Sequence, residues 1–139
     1  MKTLLLLALL ATAATAAAAP PSLAATIRAS KWKKRVLLVV APRADEAAYR
    51  QQKQLLAATP DGLHERDMLV LDVRGDQLTP ADRQYAEQEL KLKLTRFEVV
   101  LIGKDGGVKQ RSPHPLTPQA LFGTIDKMPM RRQEMRRGQ

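Results

Sequence analysis

The sequence predicts an α/β fold, a four-stranded mixed sheet with helices on both faces, in the order β-α-β-α-β-β-α. Three observations carry that prediction. The runs "RVLLVVAP" (35–42), "MLVLDV" (68–73) and "RFEVVLIG" (96–103) are largely apolar and rich in β-branched residues, as strands covered on both faces require. Two helix-forming stretches separate them, and helical crossovers of that kind are what parallel strands need. Lys104-Asp105-Gly106-Gly107 then supplies the pairs that accept the positive φ angles of a tight hairpin, so a shorter strand at 107–111 pairs antiparallel with the third.

The elements follow in order. Residues 1–24 read as a secretory signal peptide: Lys2, an apolar heart from Leu4 to Leu10, then alanines with cleavage positions after Ala16, Ala18 or Ala24. That heart is short for a stable membrane span. Residues 25–30 read as a flexible tether, and 31–128 as the folded domain. Pro42 ends the first strand. The helix at 44–59 has Asp45 as its cap, carries Ala48, Gln52, Leu55 and Leu56 on or near one face, and stops at Pro60-Asp61-Gly62. The next begins at Thr79-Pro80, with a hydroxyl cap, proline at the first helical position and Asp82 in the first turn. It frays in "LKLKL". The Thr-Pro start recurs at Thr117-Pro118, where Leu121, Ile125 and Met128 make an apolar face with Phe122 beside them.

This is the element order of the thioredoxin fold, in which the reactive cysteines sit where the first strand runs into its helix. A helix N-terminus there favours the thiolate. Laid on that pattern, Ala44 and Ala47 fall where the C-x-x-C pair would lie. The chain has no cysteine at all, which excludes thiol catalysis, cysteine-based metal sites and disulfides together. The stretch "GKDGG" is not a phosphate loop either. It leads into a strand, whereas G-x-x-x-x-G-K-[ST] must lead into a helix for its N–H groups to converge on phosphate.

Four stretches, "KRVLLVVAPRADEAAYRQQ", "GLHERDMLVLDV", "VVLIGKDGGVKQRS" and "IDKMPMRRQEMRR", resemble a family of small exported bacterial thioredoxin-like domains of unknown function. Similar modules occur at the ends of some vertebrate extracellular-matrix proteins with sushi repeats. The resemblance spans 31–137 and implies a thioredoxin-like, broadly peroxiredoxin-related fold without an established activity. It brings no catalytic residues.

The remaining chemistry is sparse. His64 and His114 lack second ligands at metal spacing, so no metal or other cofactor is expected. Ser112-Pro113-His114 has no nucleophile elbow around it. Asp61, Glu65, Asp67, Asp72 and Asp76 lack the order of a calcium loop, and local pairs with Arg66 and Arg74 account for them. Arg74-Gly75-Asp76 spells an adhesion tripeptide that a turn also explains.

The formal charge of +9 is concentrated in "KWKKR" (31–35) and in the basic C-terminal segment 129–139. Pro129 starts a short further helix there. Arg131, Arg132, Gln133, Glu134, Arg136 and Arg137 are the candidate binding residues, since arginine forks take carboxylate or phosphate bidentately. The competing reading packs Met130 and Met135 on the domain and leaves the arginines in water. A second candidate is the cleft at the redox position, with Arg43 to hold an anion, Asp45 as base and Tyr49 beside them.

Three functions remain. The first is a non-redox binding module outside the cytoplasm, in the periplasm or beyond, whose partner is an envelope protein or anionic polymer. The second is an enzyme of non-thiol chemistry at Arg43 and Asp45. The third is an electrostatic coat for anionic surfaces. Few aromatics argue against a base-stacking nucleic-acid platform.

Overall fold

A computed structural model describes residues 13–139, so Lys2 and the whole apolar heart of the expected signal sequence, Leu4 to Leu10, lie outside the described residues. Ten elements follow in order: α1 (Leu23–Ser30), β1 (Arg35–Ala41), α2 (Ala47–Ala57), α3 (Pro60–Glu65), β2 (Met68–Arg74), α4 (Pro80–Gln88), β3 (Glu98–Ile102), β4 (Val108–Ser112), α5 (Pro118–Asp126) and α6 (Pro129–Arg137). The sheet order is β2-β1-β3-β4.

Strand β1 lies between two neighbours and is buried along its whole length, which is why its sequence never alternates. Its side chains still do. Val36, Leu38 and Val40 enter one core with Val100, Ile102, Leu92 and Leu94, while Leu37, Val39 and Ala41 enter a second with Val99, Leu101, Leu121 and Ile125. Each of the valines, leucines and isoleucines contributes roughly 1.5–3 kcal/mol when fully buried. Helices α1 and α4 cover the first face through Leu23, Ile27, Tyr85 and Ala86; α2 and α5 cover the second through Tyr49, Leu56, Leu121 and Ile125.

Strands β1 and β2 are parallel, Arg35 opposite Met68 and Ala41 opposite Arg74. Strand β3 runs antiparallel to β1, Val36 opposite Ile102. The expectation that both helical crossovers join parallel strands is therefore corrected. The α4 connection enters β3 from the other end, through the irregular stretch after Gln88 in which Leu92 and Leu94 are buried and Lys91 takes φ +56°. The β3–β4 pair is the expected hairpin, closed by Gly103 N–H to Gly107 O (2.9 Å) with Gly106 at φ +86°.

Four local expectations change. Residues 25–30 are not a tether but most of α1, capped by Ser22 and tied to α4 by Leu23 N–H donating to Asp82 Oδ1 at 2.9 Å. Pro60 does not simply end a helix; it opens α3, whose Gly62 sits against Phe122, where a Cβ would lie 2.6 Å from the ring. Asp45 does not cap α2. Glu46 holds the cap position without a side-chain bond. Finally, 129–139 is not a separate segment, because α6 is tied to the domain by buried charges. The threonine caps stand as expected: Thr79 accepts from Asp82 N–H at 3.1 Å and Thr117 from Ala120 N–H at 3.2 Å.

Candidate functional site

At the redox position, Ala47 opens α2 and Ala44 packs at the edge of the second core. Arg43 and Asp45 pair with each other at 3.1 Å, both side chains 69% exposed. They do not line the adjoining cleft. That cleft, of about 390 Å³, is lined by Tyr49, Asp72, Arg74, Gln77 and Leu78. Burial and the nearby Asp72 charge push the Tyr49 phenol above its ordinary pKa, which keeps it protonated and disfavours it as a base. Asp72 is held by Lys53 at 2.9 Å. The three expected cleft residues thus do not converge on one point.

Helix α6 divides the expected binding residues by face. Arg131 is 5% exposed; its guanidinium donates to Asp126 Oδ1 (3.1 Å), Glu65 Oε1 (2.9 Å) and the Glu65 carbonyl (3.2 Å). Glu134 reaches inward too. It accepts from both ends of the Arg35 guanidinium (3.1 and 3.2 Å) and from Lys104 Nζ (2.6 Å). Arg131 and Glu134 therefore anchor the helix rather than await a partner. Arg132, Gln133, Arg136 and Arg137 are exposed, and Met135 is half-buried. One arginine of this segment is internal, three face outward, and Met130, which the competing reading packs on the domain, is exposed.

Around this anchor lies a network that the sequence reading missed. Arg35, 1% exposed, also donates to the Arg66 carbonyl at 2.9 Å. Lys104, 8% exposed, reaches Asp67 at 2.8 Å. Arg66 pairs with Asp126 at 2.9 Å and lies over the Phe122 ring. Hydrogen bonds from Lys104 hold Asp67 below the usual carboxylate range, and those from Arg66 do the same for Asp126. Burial pushes Glu134 up, but Arg35 and Lys104 outweigh it and leave it depressed. A signal existed: Arg35 and Lys104 flank long apolar runs, and a cation at the end of a buried strand needs a carboxylate nearby.

His64 and His114 join no cluster, and among the described residues no group of His, Asp or Glu is placed to hold a metal. No helix among the described residues is long and apolar enough to cross a membrane.

Comparison with known proteins agrees with the fold. A family model described as Domain of unknown function (DUF4174) matches residues 26–134. The chain belongs to this family. As a DUF4174 domain it is similar to the sushi repeat-containing protein SRPX of Rattus norvegicus, 32% identical over 114 residues that cover 74% of this chain and 25% of that protein. It is also similar to coiled-coil domain-containing protein 80 of Danio rerio, 29% identical over 129 residues, covering 76% of this chain and 15% of the other. The DUF4174 chain thus spans about a quarter or less of the curated relatives it matches. Among solved structures it resembles the reduced 2-Cys peroxiredoxin of Plasmodium vivax, with TM-score 0.56 and 14% identity over 76% of this chain and 83% of that one. The fold is thioredoxin-like. Its likeness to a 2-Cys enzyme is one of architecture alone, because this chain has no cysteine.

Proposed function

We propose that this DUF4174 domain is exported and works as a non-redox binding module, recognising an acidic envelope partner through the outer face of α6. One observation supports this above others: Arg132, Arg136 and Arg137 stand exposed on a helix whose inner face is fixed by Arg131 and Glu134. A fixed helix presents its arginines in one geometry, so less rotational freedom is lost on binding. Guanidinium forks on that face match carboxylate or phosphate groups.

Deleting α6 is a poor test, since it also removes Glu134 from beneath two buried cations. Charge reversal of Arg132, Arg136 and Arg137 to glutamate leaves the anchors in place. Capture from envelope extract with intact and reversed protein, at low and high salt, should recover a discrete partner on the intact protein only. Equal capture by both would move the interface elsewhere. Complete loss at high salt would favour mere electrostatic coating.

A further inference from the structure

A groove of about 410 Å³ opens between Trp32 and the first turn of α6, and Arg132, Arg136 and Arg137 do not line it. Its apolar lining comes from Trp32, Met128, Pro129 and Met130, and its polar lining from Arg35, Lys104, Asp105 and Lys109. That is the size and make-up of a small-molecule site: mostly apolar walls with a few convergent polar groups.

Four features point to its occupant. Trp32 is 61% exposed although large and apolar. Its backbone sits at φ +67°, a conformation costly for a bulky residue, and is held there by its N–H donating to the Lys104 carbonyl at 2.6 Å. Next, Arg35 is almost wholly buried, yet its Nε has no acceptor within the protein. A buried donor left so is unfavourable, and an acceptor brought within its reach would relieve it. The α6 start adds further donors: Met128 offers no side-chain cap and the first turn holds no acidic residue. Charge sets the sign. Three lining side chains, Arg35, Lys104 and Lys109, are cationic against one lining carboxylate, Asp105, which favours an anionic head.

We propose that this groove binds a small amphipathic monocarboxylate, its head toward Arg35 and the α6 N-terminus and its apolar or aromatic body between Trp32 and Met130. A phosphate would leave the apolar walls of Trp32, Met128 and Met130 unused. The proposal does not rest on the partner-binding reading, because it invokes none of the outer arginines.

Trp32 is the sole tryptophan, so its fluorescence reports the groove directly. Purified protein titrated with 3-phenylpropanoate or octanoate should show saturable emission change. The matching amides should bind at least about tenfold more weakly, for want of the charge-assisted bonds, and inorganic phosphate should not saturate. Trp32→Gly suits the positive φ and should fold at least as stably, yet lose binding measured by calorimetry. Met130→Glu, at the exposed lip, should lose binding with an unchanged melting temperature. Equal affinity for acid and amide, saturation by phosphate alone, or retained affinity in both variants would overturn the proposal. So would an absence of saturation with both acids, or a phenylalanine-ended peptide binding at least tenfold more tightly than either.

Discussion

Glu134 lies under two cations at once, and its removal would expose what each residue of the network does. Without it, Arg35 keeps only the Arg66 carbonyl and Lys104 only Asp67. Leaving buried charge uncompensated typically costs about 3–5 kcal/mol, so Glu134→Ala should lower the urea midpoint by a corresponding margin. A loss below about 0.5 kcal/mol would mean that the ion pairs are spectators, as most surface pairs are. Gln52 makes a second test without charge. Fully buried, it accepts from Leu116 N–H at 2.7 Å and donates to the Leu116 carbonyl at 3.0 Å, pinning α2 to the chain entering α5. Gln52→Ala would orphan both backbone groups, and about 2–3 kcal/mol of destabilisation is expected in chemical denaturation. Neither residue's partners were legible beforehand. Gln52 falls on the apolar face that the sequence predicts, but its partner lies 64 residues away. Lys104 reads as part of a turn because nothing local reveals that Asp67 and Glu134 face it.

Elements were more legible than residues wherever the signal was local. Strands β1, β2 and β3 announce themselves as apolar runs, and the Thr-Pro starts of α4 and α5 as caps, because each depends on neighbours within a few positions. The direction of β3 was not, since it follows from where Leu92 and Leu94 pack after α4 ends. Helix α1 was hidden for a similar reason. Its alanine-rich sequence suggests a tether, whereas its order comes from the Ser22 cap, Leu23 in the core and Asp82 on α4. Export, as proposed above, would then constrain the cleavage position. Cleavage after Ala24 would remove the cap and Leu23, while cleavage after Ala16 or Ala18 keeps both. On that proposal, N-terminal sequencing of the mature chain should find a start upstream of Ser22. Forcing the start to Ala25 should cost about 2 kcal/mol or more, the usual loss for a buried leucine. An exported form that begins at Ala25 and melts like the longer one would refute this.

At the scale of the molecule, the sheet is sealed by two apolar cores, while charge joins α6 to the ends of α3 and α5 and to one end of the sheet. Arg66 and Arg131 share Asp126, Arg131 reaches Glu65, and Glu134 closes onto Arg35 and Lys104. This arrangement makes stability depend on acidity in one direction. Asp67, Asp126 and Glu134 all titrate below their ordinary values in the folded chain. On acidification the unfolded chain takes up protons first, so the stabilisation is complete above the ordinary carboxylate range and drains away as pH falls through the depressed folded values. Urea midpoints should stay level from neutrality to about pH 5 and fall progressively below about pH 4. The Glu134→Gln protein should start lower at neutral pH and lose less on acidification, because one of the depressed carboxylates is gone. Titration of the midpoint for both proteins decides it. A level profile for the parent down to about pH 3, or identical slopes for the two, would show that the charged anchoring of α6 contributes nothing to the fold.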